Sequence, residues 1–158
     1  IMVGIGESRD SREKALRLLG EVYRRHGHLV SVHIQHFQAH PATPMSEHPS
    51  TNLDDMLDAV SMARHYLPPN VRIQFNGLDW RRSIPALLEN GATDIGDLNL
   101  DVLGRDRKMI HQELDAILQP LMEAGYELRR RGPYHRRLDR KIKLKNLVVH
   151  KPPLVSRM

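Results

Sequence analysis

Near the start of the chain, Gly4, Gly6 and Glu7 stand together in the run Ile1-Met2-Val3-Gly4-Ile5-Gly6-Glu7. Glycines placed after an apolar strand let a ligand approach the main chain. A helix starting just beyond them favours an anionic group. The run lacks the third glycine of a dinucleotide fingerprint, since Arg9 stands there. A tight strand-to-helix turn accounts for the pattern equally well. Six of the ten histidines fall between His26 and His48. A metal ion needs three or four converging ligands. His33 and Gln35 share a strand face while His36 points the other way, and Pro41 argues against a helix joining His36 to His40. These histidines read as surface or hydrogen-bonding groups at a strand end, and no metal site is assigned. Glu7, Asp94 and Asp97 are candidate carboxylates for acid–base work. Arg129-Arg130-Arg131, Arg136-Arg137 and Arg140-Lys141 resemble a polyanion-binding patch. Tyr134 is the one aromatic residue among them, which gives little support for base stacking. Docking on an acidic partner or on the chain's own acidic body is the favoured reading, and nucleic acid is not.

Composition bounds these possibilities. The 158 residues carry a formal charge of +5, and 40% are hydrophobic. That length buries enough surface for a real core. Zero cysteine excludes disulfides, thiolate zinc sites, cysteine nucleophiles and a thiolate-held iron–sulfur cluster within these residues. The charge is uneven. Residues 129–158 hold eleven of the 24 Lys and Arg but only Asp139 of the 19 Asp and Glu, so the preceding residues are net acidic. No run approaches the ~20 apolar residues of a spanning helix, and none reads as a secretion signal. A cytoplasmic location is expected. The apolar start without a lead-in reads as a chain cut within a strand, or as one half of something larger.

The elements that must position these groups follow from periodicity. Met2 to Ile5 reads as a buried strand. Asp10 with Glu13 resembles a capping box, and Ala15, Leu18, Leu19 and Val22 predict a helix over 10–26 closed by Gly27. Val30, Val32 and Ile34 alternate in a strand over 29–37. A Pro/Thr/Ser loop over 38–51 follows, and loops of this length are often functional. Thr51 or Asn52 caps a second helix that ends at Pro68-Pro69. Val71, Ile73 and Phe75 form a strand, and Asn76-Gly77 a turn. Asp79 caps a short helix ending at Asn90-Gly91. Thr93 to Ile95 is a brief strand and 97–107 is irregular. Ile110 to Leu121 mark another helix, and Tyr126 to Arg131 a last extended segment. Strands alternating with helices imply an α/β fold with parallel pairing. A closed barrel takes ~250 residues. The expectation is therefore half a barrel or a small doubly wound sheet over 1–131. A basic extension over 132–158 contains one strand near 142–149. Ligands in such folds sit at the carboxyl ends of strands.

Several stretches together resemble one family. Ile1 to Arg9 looks like the glycine-rich fifth strand of radical S-adenosylmethionine barrels. Val32-His33-Ile34-Gln35-His36-Phe37-Gln38-Ala39-His40-Pro41-Ala42-Thr43-Pro44-Met45 is similar to a segment of the deazaflavin synthase small subunits. Ala63-Arg64, Leu67-Pro68-Pro69, Ile73-Gln74 and the run from Leu87 to Gly96 continue the similarity, which covers roughly 1–134. Departures fall at expected strand ends. His36, Gln38, His40 and Ala42 replace the usual asparagine, arginine, lysine and glycine. Phe75-Asn76-Gly77 replaces a Pro-Pro-Asn. Gly96 to Asn99 and Arg105 to Arg107 replace the family's Gly-Gly and Asn-Pro-Glu signature.

The resemblance implies the C-terminal half of a TIM-like (β/α) radical S-adenosylmethionine barrel of parallel strands. The Cys-x-x-x-Cys-x-x-Cys loop that holds the four-iron four-sulfur cluster would lie on another half. Val3, Gly4, Gly6 and Glu7 would line the adenosylmethionine pocket. Gln35, His36, Gln38, Gln74, Asn76 and Asp94 would face a small-molecule substrate. The implied chemistry is reductive cleavage of adenosylmethionine to a 5′-deoxyadenosyl radical, then hydrogen abstraction and ring closure. These residues would contribute walls and orientation. The implied partner is a cluster-bearing N-terminal half, or a second copy paired through exposed sheet edges. The competing expectation is a non-catalytic half-barrel that binds a partner through its basic tail.

Overall fold

In the computed structural model, residues 1–96, 107–130 and 147–150 are described. The order is β1 (Met2–Val3), α1 (Arg9–His26), β2 (Ser31–His33), β3 (Gln35–His36), α2 (Leu53–Tyr66), β4 (Arg72–Gln74), a 3₁₀ turn (Arg81–Ser83), α3 (Ile84–Glu89), α4 (Arg107–Glu123), β5 (Glu127–Arg130) and β6 (Leu147–His150). The chain divides into two compact units. The first comprises Ile1–Phe75 and Ala86–Ala92, and the second Asn76–Pro85 and Thr93–Met158.

In the first unit the expected strand over 29–37 runs between two parallel neighbours. β2 pairs with β4, Val32 opposite Ile73, and β3 pairs with β1, Val3 opposite His36. The hydrogen bonding changes sides at Ile34. Its N–H donates to Gln74 O, whereas the next residue, Gln35, donates to Ile1 O. Val32 and Ile34 are buried while His33 and Gln35 are exposed, as period-2 alternation requires. α1 packs on α2, and α2 on β1 and β4. Val3, Leu16, Ile34, Met56, Val60, Ile73 and Phe75 are wholly buried in this unit.

Both long helices here stop and start on chemistry visible in the sequence. Gly27 adopts a left-handed φ of 69° and donates to Tyr23 O. Asn52 caps α2 through its side chain, which accepts from Asp55 N–H. The first cap differs from expectation: Ser8, rather than Asp10, begins α1, accepting from Ser11 N–H. The serine oxygen reaches the third residue beyond it, whereas Asp10 already lies inside the first turn. Arg64 fixes the approach to β4. Its guanidinium donates to the carbonyls of Gly91 (3.2 Å), Pro68 (3.1 Å) and Val71 (2.9 Å). Burial lowers its pKa from the ordinary arginine value.

In the second unit, Gly77 N–H donates to Ile95 O, and Asp94 makes a single bridge instead of the expected brief strand. Asp79 does not cap a helix. Trp80 precedes the 3₁₀ turn without a side-chain cap, and Asp79 accepts from Asn76 Nδ2 at 2.5 Å. α4 follows the expected periodicity, with Ile117 and Leu121 buried. β5 and β6 pair antiparallel, Leu128 opposite Val149, which corrects the expectation of uniformly parallel strands. Hydrophobic alternation reveals a strand but not the direction of its neighbour. Among the described residues there are thus short parallel strands with helices, an α/β arrangement, and one antiparallel pair. The irregular stretch over 97–106, Asp97 with it, lies outside the described residues. So does most of the basic sequence over 132–158.

Candidate functional site

The carboxyl ends of β1 and β3 converge on the glycine run. Gly4 has φ of 86° and Gly6 of 97°, values that L side chains rarely adopt. The space a Gly4 side chain would take is filled by Thr51, whose hydroxyl oxygen a Cβ would overlap. That hydroxyl donates to Val3 O at 2.6 Å and accepts from Phe37 N–H at 2.9 Å. Phe37 N–H also reaches Val3 O directly, at 2.8 Å, and Thr51 N–H donates to Phe37 O. Thr51 therefore clips together the ends of two strands immediately before α2. Gly6 is different. It is exposed, and a Cβ there would meet only His48 Nε2, at 3.7 Å.

Glu7 folds back over its own loop. Its carboxylate accepts from Gly4 N–H at 3.0 and 3.1 Å and from Ile5 N–H at 2.8 Å. Arg12, 8% exposed, brings its Nε within 3.1 Å of Glu7 Oε1. This is a charge contact without an aligned N–H. The same guanidinium donates to Asp55 O at 3.3 Å and lies 3.6 Å from the Asp55 carboxylate. Burial alone would raise the Glu7 pKa. The amides of Gly4, Glu7 and Ile5, together with Arg12, outweigh it and hold the carboxyl below its ordinary value. Glu7 is thus ionised near neutrality with its oxygens engaged, which suits a structural anion and not a general acid. Amides that a glycine loop would offer to a bound anion are already taken at positions 4 and 5.

The remaining predicted residues distribute as follows. Val3 is buried, with its carbonyl committed to Thr51 and Phe37. His36 lies opposite Val3 and is half-buried, and Gln35 is exposed one residue earlier. Gln38 is exposed beyond the end of β3. Gln74 pairs with His33 in β4 and its carbonyl accepts from Ile34 N–H. Asn76 and Asp94 belong to the second unit. Asn76 Oδ1 accepts from Leu78 N–H at 3.1 Å, and the buried Asp94 accepts from Gly96 N–H at 3.0 Å. Each of these two bonds closes a turn in its own backbone. Among the described residues no group of three His, Asp or Glu is placed to hold a metal ion, and no helix is long and apolar enough to cross a membrane. Sequence reasoning missed Arg12, His48 and Asp55 as partners of the loop. It named Thr51 only as an alternative helix cap.

No family model and no solved structure matches the chain. Curated proteins do. Over 101 residues, 63% of this chain, it is 39% identical to the 7,8-didemethyl-8-hydroxy-5-deazariboflavin synthase of Methanosarcina acetivorans, covering 30% of that protein. The synthase of Archaeoglobus fulgidus gives the same identity and coverage. Over 135 residues, 83% of this chain, it is 30% identical to the FO synthase of Streptomyces coelicolor, covering 15% of that protein. The chain is similar to these synthases over that stretch, and it spans about a third of the length of the first relatives named.

Proposed function

We propose that this chain forms one wall of the active site of a radical S-adenosylmethionine enzyme in deazaflavin biosynthesis. The observation that supports the reading best is the 39% identity to the deazariboflavin synthases over 101 residues. Those residues fit part of the cofactor set and not the rest. Gly6 is exposed and glycine-only in backbone conformation, with His48 Nε2 at 3.7 Å from the position of a Cβ, which suits close approach of a small molecule. With no cysteine, the chain does not fit the iron–sulfur cluster, and no step through the cluster is derived from it. Adenosylmethionine, where bound, would supply the hydrogen-abstracting radical. The chain's own residues would orient and enclose the reactants. Gly6 presents backbone to the ligand, and Glu7, Arg12 and Thr51 keep the loop in shape. Gln35, His36 and Gln38 lie along and just beyond β3, on the substrate side of this reading, with Gln74 on β4 and Asn76 and Asp94 further along the chain.

The partner in this reading is a cluster-bearing half. Among the described residues β1 pairs on one side only, and Met2 and Ile5 are exposed. An added strand would cover both its backbone and these side chains. The test is anaerobic co-expression of this chain with an N-terminal half carrying the three-cysteine loop. Formation of 5′-deoxyadenosine and a fluorescent deazaflavin only when both halves are present is the expected result. Absence of both products from a folded, cluster-loaded complex would overturn the reading.

A further inference from the structure

The loop between β3 and α2 is built to deliver one imidazole to the glycine run. Its base is closed twice: Thr51 N–H donates to Phe37 O at 3.0 Å, and Ala39 N–H to Ser50 Oγ at 3.3 Å. Between these rungs it turns on itself. Thr43 N–H donates to His40 O, Ser46 N–H to Thr43 O and His48 N–H to Met45 O, all within 3.1 Å. His40 Nδ1 accepts from Ala42 N–H at 3.3 Å. A compact loop with adjoining ends and internal bonding is an Ω-loop, a frequent carrier of function.

His48 is the product of that construction. Its ring meets Phe37 edge-on, with centroids 5.3 Å apart. Its Nδ1 lies 3.0 Å from Pro49 O. A carbonyl can only accept, so Nδ1 carries the proton and donates. In the neutral ring Nε2 then bears a lone pair. Among the described residues Nε2 has no hydrogen-bond partner, and it is the atom nearest to where a Gly6 Cβ would lie, 3.7 Å from it. Glu7 meanwhile consumes the amides of Gly4 and Ile5. A ligand seated on the glycine run therefore meets few free polar atoms from the loop itself.

We infer that His48 is a ligand-binding residue of this site, accepting through Nε2 a hydrogen bond from a hydroxyl or amine of the small molecule seated on Gly6. The inference rests on the functional reading above in one respect, that a small molecule occupies the glycine run. The ring's two other contacts make its role positional. Phe37 and Pro49 fix the plane, so that the lone pair is aimed before the ligand arrives and little ordering is lost on binding.

The test is calorimetric titration of adenosylmethionine into the chain assembled with a cluster-bearing N-terminal half, with Gly6→Ala, His48→Phe and His48→Gln beside the wild type. Thermal unfolding of each variant verifies that it is folded. His48→Phe keeps the packing on Phe37 and removes Nε2, and is expected to weaken binding about ten-fold, the scale of one hydrogen bond to a desolvated group. His48→Gln, whose amide oxygen reaches a similar position, is expected to recover part of that loss. In the wild type, the ¹⁵N signal of His48 Nε2 is expected to shift on saturation while Nδ1 stays protonated. If Gly6→Ala abolishes binding but His48→Phe binds within two-fold of wild type and Nε2 does not shift, the ligand uses the loop without His48 and the inference falls. If the wild type binds no adenosylmethionine, or Gly6→Ala binds it unchanged, the underlying functional reading falls and takes the role of His48 with it.

Discussion

The glycine run of the first unit and the Asn76–Gly96 turns of the second use similar residues in opposite ways. Asn76 and Asp94 bond to backbone two residues ahead. Such contacts shape a turn that would form in a short peptide. At the glycine run the decisive contacts come from far along the chain: Thr51 on Val3 and Gly4, Asp55 on Arg12, and His48 over Gly6. A site held by distant partners is rigid only when the whole unit is folded, and it fails as a unit when one partner is lost. A locally bonded turn fails alone. The first pattern suits a surface that must keep one shape for a ligand.

This contrast can be broken by mutation. Gly4→Ala is expected to have the largest effect, about 2–5 kcal/mol, because it adds a strained φ to a collision with the Thr51 hydroxyl. Urea unfolding with the transition of the first unit followed separately measures it. Arg12→Ala comes next, at about 2–4 kcal/mol, since it leaves Glu7 without its counter-charge in a largely buried setting. Its effect should depend on acidity. The Glu7 pKa lies below its ordinary value of 4.5 when folded. The ionised form is therefore favoured by folding, and this stabilisation is full above that value and lost as pH falls below it. Melting temperatures recorded from neutral to acid pH should fall less steeply for Glu7→Gln than for wild type. Equal slopes would show that Glu7 is not the group responsible. Asn76→Ala should cost least, under about 1 kcal/mol, because it removes contacts to Leu78 and Asp79 at a half-exposed turn. Loss as large as that of Gly4→Ala would erase the difference between the two regions.

The same distinction governs what could be read from the residues alone. α1, α2 and α4 declare themselves through apolar spacing, and Gly27 and Asn52 through local capping chemistry. β4 and the 31–36 strand follow from alternation. Each of these signals lies within a few residues of its effect. The exchange of Ser8 for Asp10 as cap is an error of register among closely spaced polar residues, all able to accept from a backbone N–H. The antiparallel pairing of β5 with β6 is of another kind, because partner choice is set by packing beyond the strand. The site shows both cases. Gly4, Gly6 and Glu7 are conspicuous by type and spacing. Glu7 nevertheless proves to be the loop's own counter-ion, because Arg12 and three amides surround it. Thr51 and His48 carry no local signal: one looks like a cap and the other like one histidine among six. Only the return of the chain from α1 through β3 makes them neighbours of Gly4 and Gly6.

The hydroxyl of Thr51 also sets an order of events. It reaches Val3 O across 48 positions of sequence, so closing that contact carries the loop-closure entropy of a long segment. α1 can form from local contacts, and β3 can add to β1 afterwards. The main-chain path at Gly4 is completed only when residue 51 arrives ahead of α2. Until then the strand end, the carboxylate of Glu7 and the approach to Gly6 lack a fixed geometry. The glycine run thus depends for its shape on a residue 48 positions further on, although it lies among the first residues of the chain.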